Sequence, residues 1–215
     1  MCQPGKALDD LSAKATQGDA ATQYILGECY YNGKGKEFNL EKAIYWWTKS
    51  AEQGYVLAQY NLGDRYSGNL MRDYQKSVYW FTKAAEQGHA EAQYRLGRYY
   101  YNGKVVEQDY KKAVELFTKS AEQGFAEAQY YLGFCYNWGY GVVKDERKAV
   151  EWYTKAAEQG HADAQNSLGE SYYFGRGVTK DKKKAVEWYT KAAKQGEGVA
   201  QLALDKIKAH SPPYD

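Results

Sequence analysis

Apolar and small residues recur along the chain at helical steps, in short stretches separated by loops rich in glycine and ending in an acidic or amide residue. From Ala90 to Tyr101, Ala, Ala, Tyr, Leu, Gly and Tyr fall at three- and four-residue steps and predict a helix with one apolar face. On it the small Ala92 and Gly97 let a neighbouring helix approach, while Leu96 and Tyr100 fill the space beside them. From Glu146 to Gln159 a second helical pattern puts Ala149, Trp152, Tyr153 and Ala156 inward and Lys and Glu outward. Between such helices runs a loop like Tyr173 to Asp181. It ends at Asn39, Asp73, Asp109, Asp145 or Asp181, each placed as the N-cap of the following helix.

The pattern is periodic. The glycine that closes the second helix stands at Gly18, Gly54, Gly88, Gly124, Gly160 and Gly196, at intervals of 36, 34, 36, 36 and 36 residues. A glycine there suits the left-handed conformation that ends helices, and the next helix starts at once, so consecutive helices fold back as antiparallel hairpins. Two helical patterns per unit at this period predict an all-α fold, an α-solenoid in which each unit buries its apolar face only against its neighbours. We expect one solenoid domain over residues 1–215. It has a terminal helix at 6–17, repeats at 18–53, 54–87, 88–123, 124–159 and 160–195, and a closing helix at 196–210 ended by Pro212 and Pro213. Polar substitutions suit both ends to water: Asp10 and Leu11 replace an aromatic pair, and Asp205 replaces a glycine. The second unit is two residues short, in the loop between Tyr66 and Lys76.

Composition narrows the partner classes. Lys plus Arg is 29 against 27 for Asp plus Glu, a net charge of +2, which gives no electrostatic case for nucleic acid. No apolar run approaches a membrane span, and no charged-then-apolar leader opens the chain. Cys2, Cys29 and Cys135 lack the spacing of a zinc site or disulfide framework, and Cys29 and Cys135, in equivalent places three units apart, read as packing residues. No cofactor is implied.

Taken together, Ala-x-Ala-Gln-Tyr-x-Leu-Gly-x-x-Tyr, then Gly-x-Gly-Val-x-x-Asp, then Lys-Ala-x-x-Trp-Tyr-x-Lys-Ala-Ala-Glu-Gln-Gly, resemble the Sel-one-like repeat (SLR), a relative of the tetratricopeptide repeat. The resemblance runs from residue 6 to about 205. It implies a right-handed superhelix of antiparallel helix pairs, no catalytic residues, and a role as scaffold or adaptor. Bacterial members of the family are often exported and act in signalling, envelope assembly, host contact or toxin neutralisation, so the resemblance favours the bacterial periplasm or envelope over the cytoplasm. Met1-Cys2 reads either as an ordinary start or as the mature end of a lipoprotein, which would add a lipid anchor. The cysteines of the subgroup with a disulfide in each unit are missing, and Val105 stands where Gly35, Gly141 and Gly177 complete the loop glycine pair.

Motifs that suggest chemistry dissolve into the repeat. His89-Ala-Glu91 and His161-Ala-Asp163 resemble a metal-binding pair, but they occupy a turn that holds Tyr55 or Phe125 in other units. The Gly-x-Gly loops follow helices, not the strands of a phosphate cradle. Partner information is expected instead where the units differ. If tetratricopeptide geometry carries over, first helices line a concave groove through positions around the Leu-Gly glycine. Tyr24, Tyr60, Tyr94 and Tyr130 recur there and read as packing. Phe134 stands where other units have Glu28, Asp64, Arg98 or Glu170, so the slot reads as solvent-facing and its aromatic as surplus to packing. The candidate partner-binding residues are Arg95, Arg98, Tyr101, Phe134, Trp138, Glu170, Tyr173 and Phe174, gripping a protein or peptide. The alternative is a binder of peptidoglycan or another glycan, whose sugar rings would stack on the same aromatics.

Overall fold

The computed structural model describes residues 4–34, 37–69 and 71–209, with side chains from residue 10 onward; Cys2, Gly35, Pro212 and Pro213 lie outside them. Among the described residues are twelve α-helices and no strand. They are α1 (Pro4–Thr16), α2 (Ala20–Asn32), α3 (Leu40–Glu52), α4 (Val56–Ser67), α5 (Tyr74–Glu86), α6 (Ala90–Asn102), α7 (Tyr110–Glu122), α8 (Ala126–Trp138), α9 (Glu146–Glu158), α10 (Ala162–Phe174), α11 (Lys182–Lys194) and α12 (Gly198–Ala209). The chain divides into two compact units, residues 1–96 and 97–215, with the division inside α6. In the first, α1 packs on α2, α2 on α3, α3 on α4 and α4 on α5. In the second, α7 through α12 pack in the same sequential way. Each unit is thus a stack of helix hairpins, the arrangement of an α-solenoid.

Local chemistry fixes the helix ends. Asn39, Asp73, Asp109, Asp145 and Asp181 each accept the backbone N–H three residues on, at 2.9–3.0 Å, as the sequence predicts. The Gln-Gly glycines take φ of +88° to +102° and let the chain reverse within two residues of the second helix. The shortened loop after α4 puts Arg72 at φ +43°, the one non-glycine in the left-handed region among the described residues. Gly141 and Gly177 carry positive φ, and their backbones press on the Tyr110 and Glu146 carbonyls, leaving no room for a Cβ.

Packing is set by a glycine beneath a ring. The Leu-Gly glycines of the first helices, Gly27, Gly63, Gly97, Gly133 and Gly169, lie against Trp47, Phe81, Phe117, Tyr153 and Tyr189 of the following second helices. A Cβ at the last four would stand only 2.6–2.8 Å from a ring carbon. Beside each glycine a buried glutamine ties one hairpin to the previous one. Gln23, Gln59, Gln93, Gln129 and Gln165 donate to the carbonyls of Ala15, Ala51, Ala85, Ala121 and Ala157 at 2.9–3.2 Å. Trp152, expected inside, is only half-buried. Lys155 covers it with Nζ 3.9 Å from the ring centre, and Val150 takes the interior place.

Gly133→Ala is expected to destabilise the second unit by about 1–3 kcal/mol through overpacking against Tyr153. In thermal denaturation followed by circular dichroism, Gly133→Ala combined with Tyr153→Leu should cost less than the sum of the two single changes.

Candidate functional site

The second unit carries two adjoining clefts. The first, of about 190 Å³, opens between α8 and α10. Its aromatic side comes from the last turn of α8, where Phe134 and Trp138 lie one turn apart, and Gly139, at φ +75°, ends the helix just beyond. Trp138 is 57% exposed. Phe134 is half-buried, a departure from its solvent-facing expectation. Its ring lies 6.1 Å from Tyr140, 6.2 Å from Trp138 and 6.4 Å from Tyr130, and it packs on the core between α9 and α10. The polar side comes from α10, as Asn166, Ser167 and Glu170. Ser167 lies close to the Tyr130 and Tyr153 phenols. Burial, with the charges of Asp163 and Glu170, pushes Tyr130 up to about 12.

The second cleft, of about 280 Å³, is mainly apolar and lies among α10, α11 and α12. Glu170 lines both clefts. Phe174 is 55%, Val199 55% and Leu202 62% exposed around it. Tyr173 meets Phe174 edge-on at 4.9 Å, and the Arg176 guanidinium lies 4.8 Å from the Phe174 ring centre.

Five of the eight sequence candidates, Phe134, Trp138, Glu170, Tyr173 and Phe174, therefore line these clefts. The others do not. Tyr101 is packed among Tyr110, Tyr140, Tyr131 and Phe117 with ring centres 5.2–6.4 Å away, and burial pushes its phenol up to about 12. Arg98 lies 5.5 Å over the Tyr131 ring. Arg95 belongs to the first unit, between Glu91 at 3.2 Å and Asp64 at 3.7 Å. Burial acts against its charge, yet Glu91, Tyr60 and Asp64 hold its pKa above the ordinary value. Sequence reasoning passes over Val199, Leu202 and Ile207, because α12 reads as a closing helix; the available signal is the three-residue step from Val199 to Leu202 on a water-facing side.

His89, His161 and Cys135 serve the fold. His89 and His161 cap α6 and α10, Nδ1 accepting from the N–H of Ala92 at 3.2 Å and of Ala164 at 3.3 Å, and their rings stack on Tyr60 and Tyr130. Burial pushes the Cys135 thiol up to about 12, far from the thiolate a nucleophile needs. Among the described residues no group of three or more His, Cys, Asp or Glu could hold a metal ion, and no helix is long and apolar enough to cross a membrane.

Comparison with known proteins gives a consistent picture. The family model described as Sel1 repeat matches residues 20–55, 56–89, 90–125, 126–161 and 162–197, windows that start two residues after the glycine-based ones. The crystal structure of a Sel1 repeat protein from Oxalobacter formigenes superposes with a TM-score of 0.81 at 36% identity, covering 89% of this chain and 77% of that one. A protective antigen present in uropathogenic Escherichia coli strains, displaying an SLR fold, superposes with a TM-score of 0.69 at 34% identity, over 93% of this chain and 51% of its own. A sel1-like repeat-containing protein of Acanthamoeba polyphaga mimivirus is 45% identical over 53 residues, which is 25% of this chain and 10% of that protein.

Burial, partly countered by Glu91, lowers the pKa of His89 below 6.5, and its neutral ring is the form that caps α6. Its contribution is therefore complete above pH 6.5 and lost as pH falls through the folded-state pKa. His89→Asn, a cap that does not titrate, should flatten this part of the acid dependence of the urea midpoint. Cys135 should resist a thiol reagent in the native protein and react on denaturation.

Proposed function

The chain belongs to the Sel1 repeat family, and from that premise we propose that it is a non-enzymatic scaffold holding a partner polypeptide on the cleft-bearing face of its second unit. Proteins of this repeat class are generally protein-interaction scaffolds. The observation that carries the reading is the pairing of exposed aromatics with clefts: Trp138 and Phe174 end α8 and α10, each more than half exposed. A large aromatic left in water beside a concavity is unfavourable for the free protein and suits an anchor at an interface.

The mainly apolar second cleft favours a polypeptide over a glycan. Aromatic faces alone would stack on sugars, but Leu202, Val199 and Ile207 offer a sugar's hydroxyls no hydrogen bond, whereas they suit an aliphatic or aromatic side chain. Toxin neutralisation and assembly at a bacterial envelope are two roles such a face would serve.

Affinity capture with the wild type and with Trp138→Ala/Phe174→Ala, read by mass spectrometry, should identify a partner retained by the first and lost by the second. Each truncation is expected to weaken the purified complex by about 2 kcal/mol, roughly thirtyfold, with the melting curve unchanged. Equal affinity for both proteins would exclude this face.

A further inference from the structure

The residue just after the Leu-Gly glycine of each first helix has a counterpart two residues before the equivalent glycine of the next one. Glu28 Oε1 accepts from Asn61 Nδ2 at 2.7 Å. Asp64 pairs with Arg95 at 3.7 Å. Arg98 lies over the Tyr131 ring at 5.5 Å. By the same step the counterpart of Glu170 is Ala203, which has no donor. Glu170 is half-buried, and among the described residues its carboxylate makes no hydrogen bond or ion pair. Of the nearby cations, Arg176 also lines the first cleft, with its guanidinium 4.8 Å from the Phe174 ring centre and no ion pair to Glu170, and Lys206 is on α12 across the second cleft.

Asn166 Oδ1 is buried without a hydrogen-bond partner, and Asn166 lines the same cleft as Glu170. Glu170 is a negatively charged acceptor, so the complementary ligand group brings N–H donors and a positive charge. Phe134 and Trp138 add aromatic surface to that cleft, to which a cation is also attracted. On the far side of Glu170 lies the apolar cleft.

We propose that Glu170 is the charge anchor of this face, receiving an arginine or lysine side chain of the partner polypeptide while a neighbouring apolar side chain of that partner enters the second cleft. The assignment rests on reading the face as a protein-binding surface, and it adds which chemistry is recognised. The unit-one pairs explain why the vacancy exists: a repeat whose next helix supplies an amide or guanidinium uses its carboxylate internally, and the alanine at 203 leaves it for a ligand.

The test is to pan a display library of random twelve-residue peptides on the whole protein and synthesise those retained by the wild type but not by Trp138→Ala. The expected peptides share an arginine or lysine whose replacement by alanine weakens binding roughly tenfold or more. That loss should all but disappear in Glu170→Gln. Ala203→Asn, which copies the donor at Asn61, should satisfy Glu170 from within and weaken the same peptides. Both variants should melt like the wild type, since neither removes a contact. Peptides that depend on Trp138 but lack a basic residue, or bind Glu170→Gln with unchanged affinity, would overturn the charge anchor and leave the binding face standing. Failure to retain any Trp138-dependent peptide would overturn both.

Discussion

The structure depends on one close approach, a first-helix glycine beneath an aromatic ring of the following second helix. At Gly133 a Cβ would stand 2.8 Å from Tyr153 Cδ1 and 3.1 Å from the Ala149 carbonyl, so the absence of a side chain sets how near the helices come. That proximity lets the ring close the hairpin core, and it brings the neighbouring glutamine within reach of the carbonyl of the previous second helix. Gln129 then accepts from Gln159 at 2.7 Å while donating to Ala121 at 3.1 Å. A buried amide satisfied on both sides fixes the register of one hairpin on the next, where apolar contact alone would tolerate sliding.

Because packing and register use the same few residues in every unit, the remaining positions of the first helices are free to differ, and in the proposed function they serve recognition. The last turn of α8 shows the consequence. Phe134 is half held by the core and half presented, and it steadies Trp138, which the core does not need. In the proposal for Glu170 the route is complementary: a residue of ordinary identity becomes available because the next helix offers Ala203 where earlier units offer a donor. The terminal helix α12 is part of this arrangement: Val199, Leu202 and Ile207 make one side of the apolar cleft.

Features that depend on near neighbours along the chain are legible in the amino-acid sequence. The acidic and amide N-caps, the glycines at helix ends and both helix spans follow from local hydrogen bonding and backbone freedom, within a residue or so of their observed limits. Features that depend on how particular side chains pack in three dimensions are not. The half-burial of Phe134 comes partly from Tyr140 in the loop beyond α8, and Arg95 is drawn to Asp64, one helix pair earlier. Trp152 reads as interior by periodicity, yet it lies half-buried at the surface with the Lys155 ammonium over its ring. The division of the chain inside α6 leaves no mark in composition or spacing.

The account holds that shared positions build the scaffold and that differing positions on the first helices of the second unit recognise the partner. Exposed Tyr45 and Tyr79, each 54% accessible on second helices α3 and α5, offer a competing surface elsewhere. The most direct measurement is amide hydrogen–deuterium exchange of the protein with and without its captured partner. The account predicts added protection in α12 and in the last turns of α8 and α10 with the loops that follow them, with α3 and α5 unchanged. Protection confined to α3 and α5 would contradict it.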